Sequence, residues 1–254
     1  MENKIDVYYR NRIVGTLAKY ERKYVFQYNK EWLKDGFSIS PFSLPLKPDL
    51  FIPKNNNFKG FFGVFSDSLP DSWGNLLLER FLKNQGITEY DGLYRLAVIG
   101  SNGMGALEYK PDFSKKAIKE LPDFDDFQKQ ANDIIDGNNN VDINLLYRYG
   151  GSSGGARPKA LIKYNNEEWI VKFQSKYDIP NSGLCEYEYA LVCKELGMNM
   201  PNVHLFPSKK SKGYFAIQRF DRVNGEKIHM ISAAALLEVD FNTSISDYLD
   251  LFTY

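Results

Sequence analysis

Tyr149-Gly150-Gly151-Ser152-Ser153-Gly154-Gly155-Ala156-Arg157-Pro158-Lys159 is the stretch whose reading decides the fold. Four glycines and two serines lead into a strand predicted over 159–164. Glycine lets successive backbone N–H groups turn toward one point, and such concave sets of amides bind anions. Lys159 adds a cation beside them. A phosphate cradle is one reading; a flexible hairpin or linker is the other, because Gly-rich turns are common. The spacing is not that of a Walker A loop, which needs Gly-Lys-Ser/Thr where this chain has Gly155-Ala156-Arg157. It is not Gly-x-Gly-x-x-Gly either. Both of those motifs open a helix, whereas this loop opens a strand.

Downstream, Trp169-Ile170-Val171-Lys172-Phe173 reads as an apolar strand carrying one lysine. Such a lysine either snorkels to the surface or meets a partner. Glu186, at the start of a helix predicted over 186–196, is the candidate partner. A strand lysine facing a helix glutamate is the arrangement kinases use to hold ATP phosphates. Tyr214-Phe215-Ala216-Ile217-Gln218-Arg219-Phe220-Asp221-Arg222 is a β-run ending in alternating polar and aromatic residues. It falls where a kinase-like lobe has its hinge, and it also reads as a buried strand followed by a charged turn. A last helix is predicted over 232–239.

Upstream, Ile5–Tyr9, Ile13–Leu17 and Lys23–Tyr28 read as an antiparallel meander. Pro41, Pro45, Pro48 and Pro53 make residues 40–54 an ordered loop, since proline removes ladder donors. Ser68-Leu69-Pro70-Asp71 matches a capping box ahead of a helix with Trp73, Leu76, Leu77 and Phe81 at helical spacing, stopped by Gly86. Residues 93–110 read as an apolar run, a Gly turn and the strand Ala106–Tyr109. Composition turns polar around Lys110–Pro122, and Phe124, Phe127, Ala131, Ile134 and Ile135 mark an amphipathic helix ending at Gly137.

The 254 residues carry 32 basic and 32 acidic side chains, so the net charge is zero. That excludes a nucleic-acid binder working by bulk charge. Cys185 and Cys193 cannot build a disulfide framework and fit a reducing cytoplasm. No apolar run reaches the roughly 18–20 residues of a membrane helix. The cysteines with His204 and His229 lack zinc-ligand spacing, and no Gly-x-Ser-x-Gly elbow points to a hydrolase.

Taken in order, these segments resemble the HipA-type serine/threonine kinases, the toxins of bacterial HipBA toxin–antitoxin modules. The resemblance rests on Val14-Gly15-Thr16-Leu17, the Ser40–Leu46 loop, Asp67–Ser72 and Ile99–Leu107 in the first half. In the second half it rests on Gly150–Lys159, Glu186-Tyr187, Lys194–Gly197 and Gln218–Arg222. It implies an α+β chain. Residues 1–112 would be an N-terminal antiparallel β-rich subdomain with helices, and 113–144 a helical connection. Residues 145–222 would be a kinase-like N-lobe, and 223–254 the start of a truncated helical C-lobe.

The resemblance also implies roles. Lys172 contacts ATP phosphates with Glu186 as its ion-pair partner. Lys159 joins the loop amides, Gly154 and Gly155 among them, on the phosphates, and Gln218 and Phe220 form the adenine hinge. A loop serine, Ser152 or its neighbour Ser153, is autophosphorylated. The implied cofactors are ATP and Mg, and the location is the cytoplasm. The implied partners are a HipB-like antitoxin, through which DNA is reached, and a translation protein of the aminoacyl-tRNA synthetase class. A kinase also needs an Asp with Asn five residues on. After Phe220 the candidates Asp221, Asp240, Asp247 and Asp250 lack that Asn. The expectation is a kinase cut short, with no catalytic base or magnesium ligand here and no phosphotransfer alone. The alternative is a non-catalytic module that binds an antitoxin or another partner.

Overall fold

The computed structural model describes residues 3–115 and 120–239. These form two compact units. One comprises 3–69, 89–114 and 227–239; the other comprises 70–88, 115 and 120–226. The architecture is α+β with antiparallel sheets.

In the first unit the meander forms as read. β1 (Lys4–Tyr9), β2 (Arg12–Tyr20) and β3 (Lys23–Tyr28) pair in sequence. Arg10 and Asn11 both take positive φ in the first turn, which matches the strands' right-handed twist. A one-turn helix, α1 (Trp32–Asp35), follows β3. The proline-rich segment contributes only a two-residue edge strand, β4 (Leu50–Phe51). Tyr28 pins that segment, its hydroxyl donating to the Leu44 carbonyl at 2.6 Å and accepting from the Ile39 amide. Next come α2 (Gly63–Ser66), α3 (Ser72–Asn84) and α4 (Gly92–Ile99), of which α3 belongs to the second unit. β5 (Leu107–Lys110) closes the sheet in the order β4-β3-β2-β1-β5. Phe26, Phe65, Trp32, Leu17 and Val14 fill its core.

The structure departs from two local expectations. Residues 93–99, read as a bare apolar run, are helix α4. Asp91 caps it by accepting from the Tyr94 amide at 3.0 Å, and five of its eight residues are buried, which hides the helical period. The capping box at 68–71 does not form. α3 begins at Ser72 with Asp71 as an N-cap whose side chain makes no cap bond. Ser68 is instead buried and accepts the Tyr109 hydroxyl at 2.6 Å.

The second unit begins with α3 and continues with α5 (Phe124–Ile135) and α6 (Ile143–Gly150). α6 went unread because Gly150 and Gly151 suggested a turn. Asp142 caps it, and Tyr147 stacks on Phe81 of α3 with centroids 4.2 Å apart. Strands β6 (Lys159–Tyr164) and β7 (Glu167–Lys172) form a hairpin across Asn165-Asn166, both at positive φ. α7 (Ser182–Glu195) starts one turn earlier than its pattern suggests, the Asn181 carbonyl accepting from Cys185. β8 (Val203–Phe206), missing from the sequence reading, and β9 (Tyr214–Gln218) complete a sheet of order β6-β7-β9-β8. α5 covers one face, with Phe124 and Phe127 packed on Phe173, Phe206 and Tyr214.

The chain then makes a short hairpin, β10 (Arg222–Val223) and β11 (Glu226–Lys227), before α8 (Ala233–Leu237) packs on α2 of the first unit. Asp67 accepts from the Ser232 amide and hydroxyl, and Glu238 accepts from the Gly63 amide. Burial pushes both carboxyls up from their ordinary range. A Cβ on Gly63 would lie 2.4 Å from the Ala235 backbone. Gly63→Ala is therefore expected to cost about 1–3 kcal/mol through overpacking. The midpoint of urea unfolding checks this, and an unchanged midpoint would contradict the packing described.

Candidate functional site

Strand pairing decides which side chains share a face. Lys159 lies opposite Lys172 and Leu161 opposite Ile170, while Ile170 also lies opposite Ile217. These residues form the face turned away from α5. Leu161, Ile170 and Ile217 are half-buried and make an apolar floor beside the two lysines. Like charges directly opposite one another repel across a ladder, so the pair is a place where an anion is favoured.

Each lysine has a protein partner. α7, packed on β8 and β9, presents Glu186, whose carboxylate lies 2.5 Å from the Lys172 ammonium. Lys172 also sits 5.2 Å from the centre of the Phe215 ring. The Lys159 ammonium donates to the carbonyls of Gly154 and Arg157, and so turns into the Gly-rich loop. Burial, the largest cause, pushes the Lys159 amine down to about 8; Asp71 opposes the shift and Lys172 adds to it. Ser153 is buried, its hydroxyl donating to the Gly150 carbonyl at 2.6 Å, whereas Ser152 is half-exposed.

A cavity of about 340 Å³ opens beside this pair, lined by Arg157, Lys172, Tyr177, Ser182, Cys185 and Glu186 among others. Its volume lies in the range of small-molecule sites. Gln218 and Phe220 line a different cavity of about 500 Å³, and the two share no lining residue. The Gln218 side chain bonds to Asn202 and Glu167, and its amide donates to the Asn202 carbonyl. The Arg219 amide donates to the Glu168 carbonyl. Phe220 is 65% exposed.

Two features escaped the sequence reading. Asp221, a candidate base on sequence grounds, is buried between Arg219 and Arg222, with N···O separations of 2.7–2.9 Å, and Glu168 adds a second carboxylate at 3.3–3.5 Å. The Arg-x-Asp-Arg run is the only signal in the sequence. The other is α3, whose first turn lies against the Gly-rich loop although some 80 residues separate them. Asp240, Asp247 and Asp250 lie outside the described residues.

A sequence profile for the HipA N-terminal domain matches residues 5–110, and a profile for the HipA-like C-terminal domain matches 151–254. The chain belongs to the HipA family. The first profile ends with the last residue of β5. The second begins inside the Gly-rich loop of this HipA-type chain and takes in Lys159, Lys172, Glu186 and the 214–222 run. The fold is similar to a chain in the structure of the Shewanella oneidensis MR-1 toxin–antitoxin system HipA, HipB and operator DNA complex. The TM-score is 0.61 at 19% identity, covering 98% of this chain and 61% of that one. This HipA-type chain thus spans less than two thirds of the structure it matches. No curated protein matches it. Among the described residues no helix is long and apolar enough to cross a membrane.

Arg157 and Lys172 put two cationic side chains on the lining of the 340 Å³ cavity, a charge that suits an anionic group such as a phosphate. Among the described residues no group of three or more acidic, histidine or cysteine side chains could hold a metal ion.

The depressed Lys159 amine sets a pH dependence. Its cation is lost as pH rises through about 8, so affinity for an anion such as tripolyphosphate is expected to fall between pH 7 and 9. Lys159→Arg should flatten that profile, because arginine keeps its charge. For folding the sign is opposite. Between about 8 and the ordinary 10.5 the unfolded chain binds the proton that the folded chain has shed, so this lysine adds stability as pH rises through that window. Calorimetric titration of tripolyphosphate across the range checks the first expectation, and a flat native profile would remove Lys159 from the anion site.

Proposed function

We propose that this HipA-type chain carries the ATP-phosphate-binding part of a toxin serine/threonine protein kinase. The observation that carries the reading is the Lys172–Glu186 contact at 2.5 Å beside Lys159, on a half-open sheet face with an apolar floor. In this reading β6 to β9 with α7 form a kinase-like N-lobe. Lys172 holds phosphate oxygens and Glu186 keeps its ammonium in place. Lys159 and the amides of Gly154 and Gly155 complete the cradle. The base reaches along Leu161, Ile170 and Ile217 toward the 218–220 segment, where Phe220 is exposed.

The γ-phosphoryl group would pass from ATP to a serine or threonine hydroxyl of a protein of the translation machinery, with ADP leaving. Ser152 is the proposed self-modified residue, because Ser153 is buried against its own loop. No proton acceptor and no magnesium ligand is assigned here: Asp221, the aspartate nearest the hinge, is enclosed by two arginines. Nucleotide binding is therefore the step proposed for the residues described.

The proposed partner is a HipB-like antitoxin, supported by family membership and by the HipB present in the complex with the similar fold. Contact with DNA would pass through that antitoxin, in keeping with the zero net charge. ATP calorimetry on the purified chain is the test. Saturable binding supports the reading, and no heat at millimolar ATP would leave a non-catalytic partner-binding module as the better description.

A further inference from the structure

We propose that the first turn of α3 is a dock that holds the Gly-rich loop in a single conformation, with Trp73 and Gly74 as its positioning residues. The proposal rests on the nucleotide reading of the loop for its consequence, though not for its geometry.

Three contacts build the dock. The Trp73 amide donates to the Gly155 carbonyl at 3.2 Å. The Trp73 indole Nε1 donates to the Lys159 carbonyl at 3.1 Å, at the point where the loop becomes β6. Gly74 lies so close to the loop that a Cβ there would be 2.4 Å from the Ser153 carbonyl oxygen and 3.3 Å from that of Gly150. No other residue type permits this approach, since the obstructing atoms are backbone.

The dock fixes both ends of the loop. Its first end, Gly150, finishes α6, which is joined to α3 by the Phe81–Tyr147 stack. Its second end, Gly155 to Lys159, is held by Trp73. Between them the Ser153 amide and hydroxyl both donate to the Gly150 carbonyl. Asp71, which is exposed and precedes this turn, favours the charged form of the half-buried Lys159 amine. A glycine-rich segment by itself has the largest conformational freedom to lose on binding. A loop already held by α3 has lost much of it, so the phosphates meet preorganised donors.

Hydrogen exchange on the unmodified chain reads the dock without nucleotide. The Trp73 and Ser153 amides should show protection within about threefold of each other, because one opening frees both, while Leu77 and Leu78 stay more protected. Ser153 exchanging far faster than Trp73 overturns the proposal. Gly74→Ala should lower protection at Ser153 at least tenfold with Leu78 unchanged, and should weaken ATP binding at least tenfold. Unchanged loop protection in that variant overturns the dock. Should the variant fail to fold, the exchange pattern of the native chain decides. If loop protection falls while neither protein binds ATP, the dock is upheld and the nucleotide reading fails.

Discussion

Lys172→Met is expected to lower ATP affinity by about 100-fold. Strand register places the side chain. Lys172 ends β7 on the same face as Lys159, and α7 brings Glu186 to 2.5 Å. A hydrogen bond to a charged group contributes about 1.5–3 kcal/mol, which is roughly 10- to 150-fold in affinity. The upper end applies because methionine leaves Glu186 facing the phosphates without its counter-charge. Glu186→Gln removes the carboxylate but not the lysine, so its effect should be smaller, about tenfold. The double variant should lose less than the two single losses combined, as expected for residues in direct contact. Calorimetry on the four proteins forms the cycle. Equal ATP affinity in native and Lys172→Met protein would contradict the assignment.

Asp221→Ala is expected to destabilise the second unit by about 3–5 kcal/mol. The Asp221 carboxylate is 1% exposed and receives both Arg219 and Arg222, which are themselves buried. Removing one partner of a buried ionic group leaves uncompensated charge, which is where costs of this size arise. Burial and the neighbouring Arg219 already push the Arg222 guanidinium down from its ordinary value, so two adjacent cations have little tolerance for losing their shared anion. Glu168, nearly half exposed, cannot replace it. Replacing the cluster with apolar residues, as in R219M/D221L/R222L, should recover part of the loss, because no charge then stays buried. Urea unfolding followed by tryptophan fluorescence checks both variants. A loss below about 1 kcal/mol for Asp221→Ala would mean that solvent reaches the arginines.

The stretches that could be read directly were those whose signal is local. β1 to β3 alternate and are parted by polar turns, and α5 carries a strong apolar stripe. The lysine and glutamate were legible because each stood out in an apolar strand or at a helix start. α4 and α6 were not. One is mostly buried, and the other ends in two glycines that imitate a turn. β8 was missed because Val203–Phe206 is only four residues long, too short for a period to register.

The sequence by itself determined the α+β class, the family resemblance, and the residue types of the proposed anion site: a Gly-rich loop, lysines at 159 and 172, and a glutamate at 186. These follow from composition, order and short-range spacing, which any chain carries in one dimension. Tertiary structure alone decided that Lys159 stands opposite Lys172, that Ser153 is buried and Ser152 is not, and that Asp221 is enclosed by arginines. It alone decided that α3 packs under a loop some 80 residues away and that α8 folds back onto α2. Those facts depend on strand register and on close approaches such as those at Gly63 and Gly74. Only the packed chain brings such distant residues together.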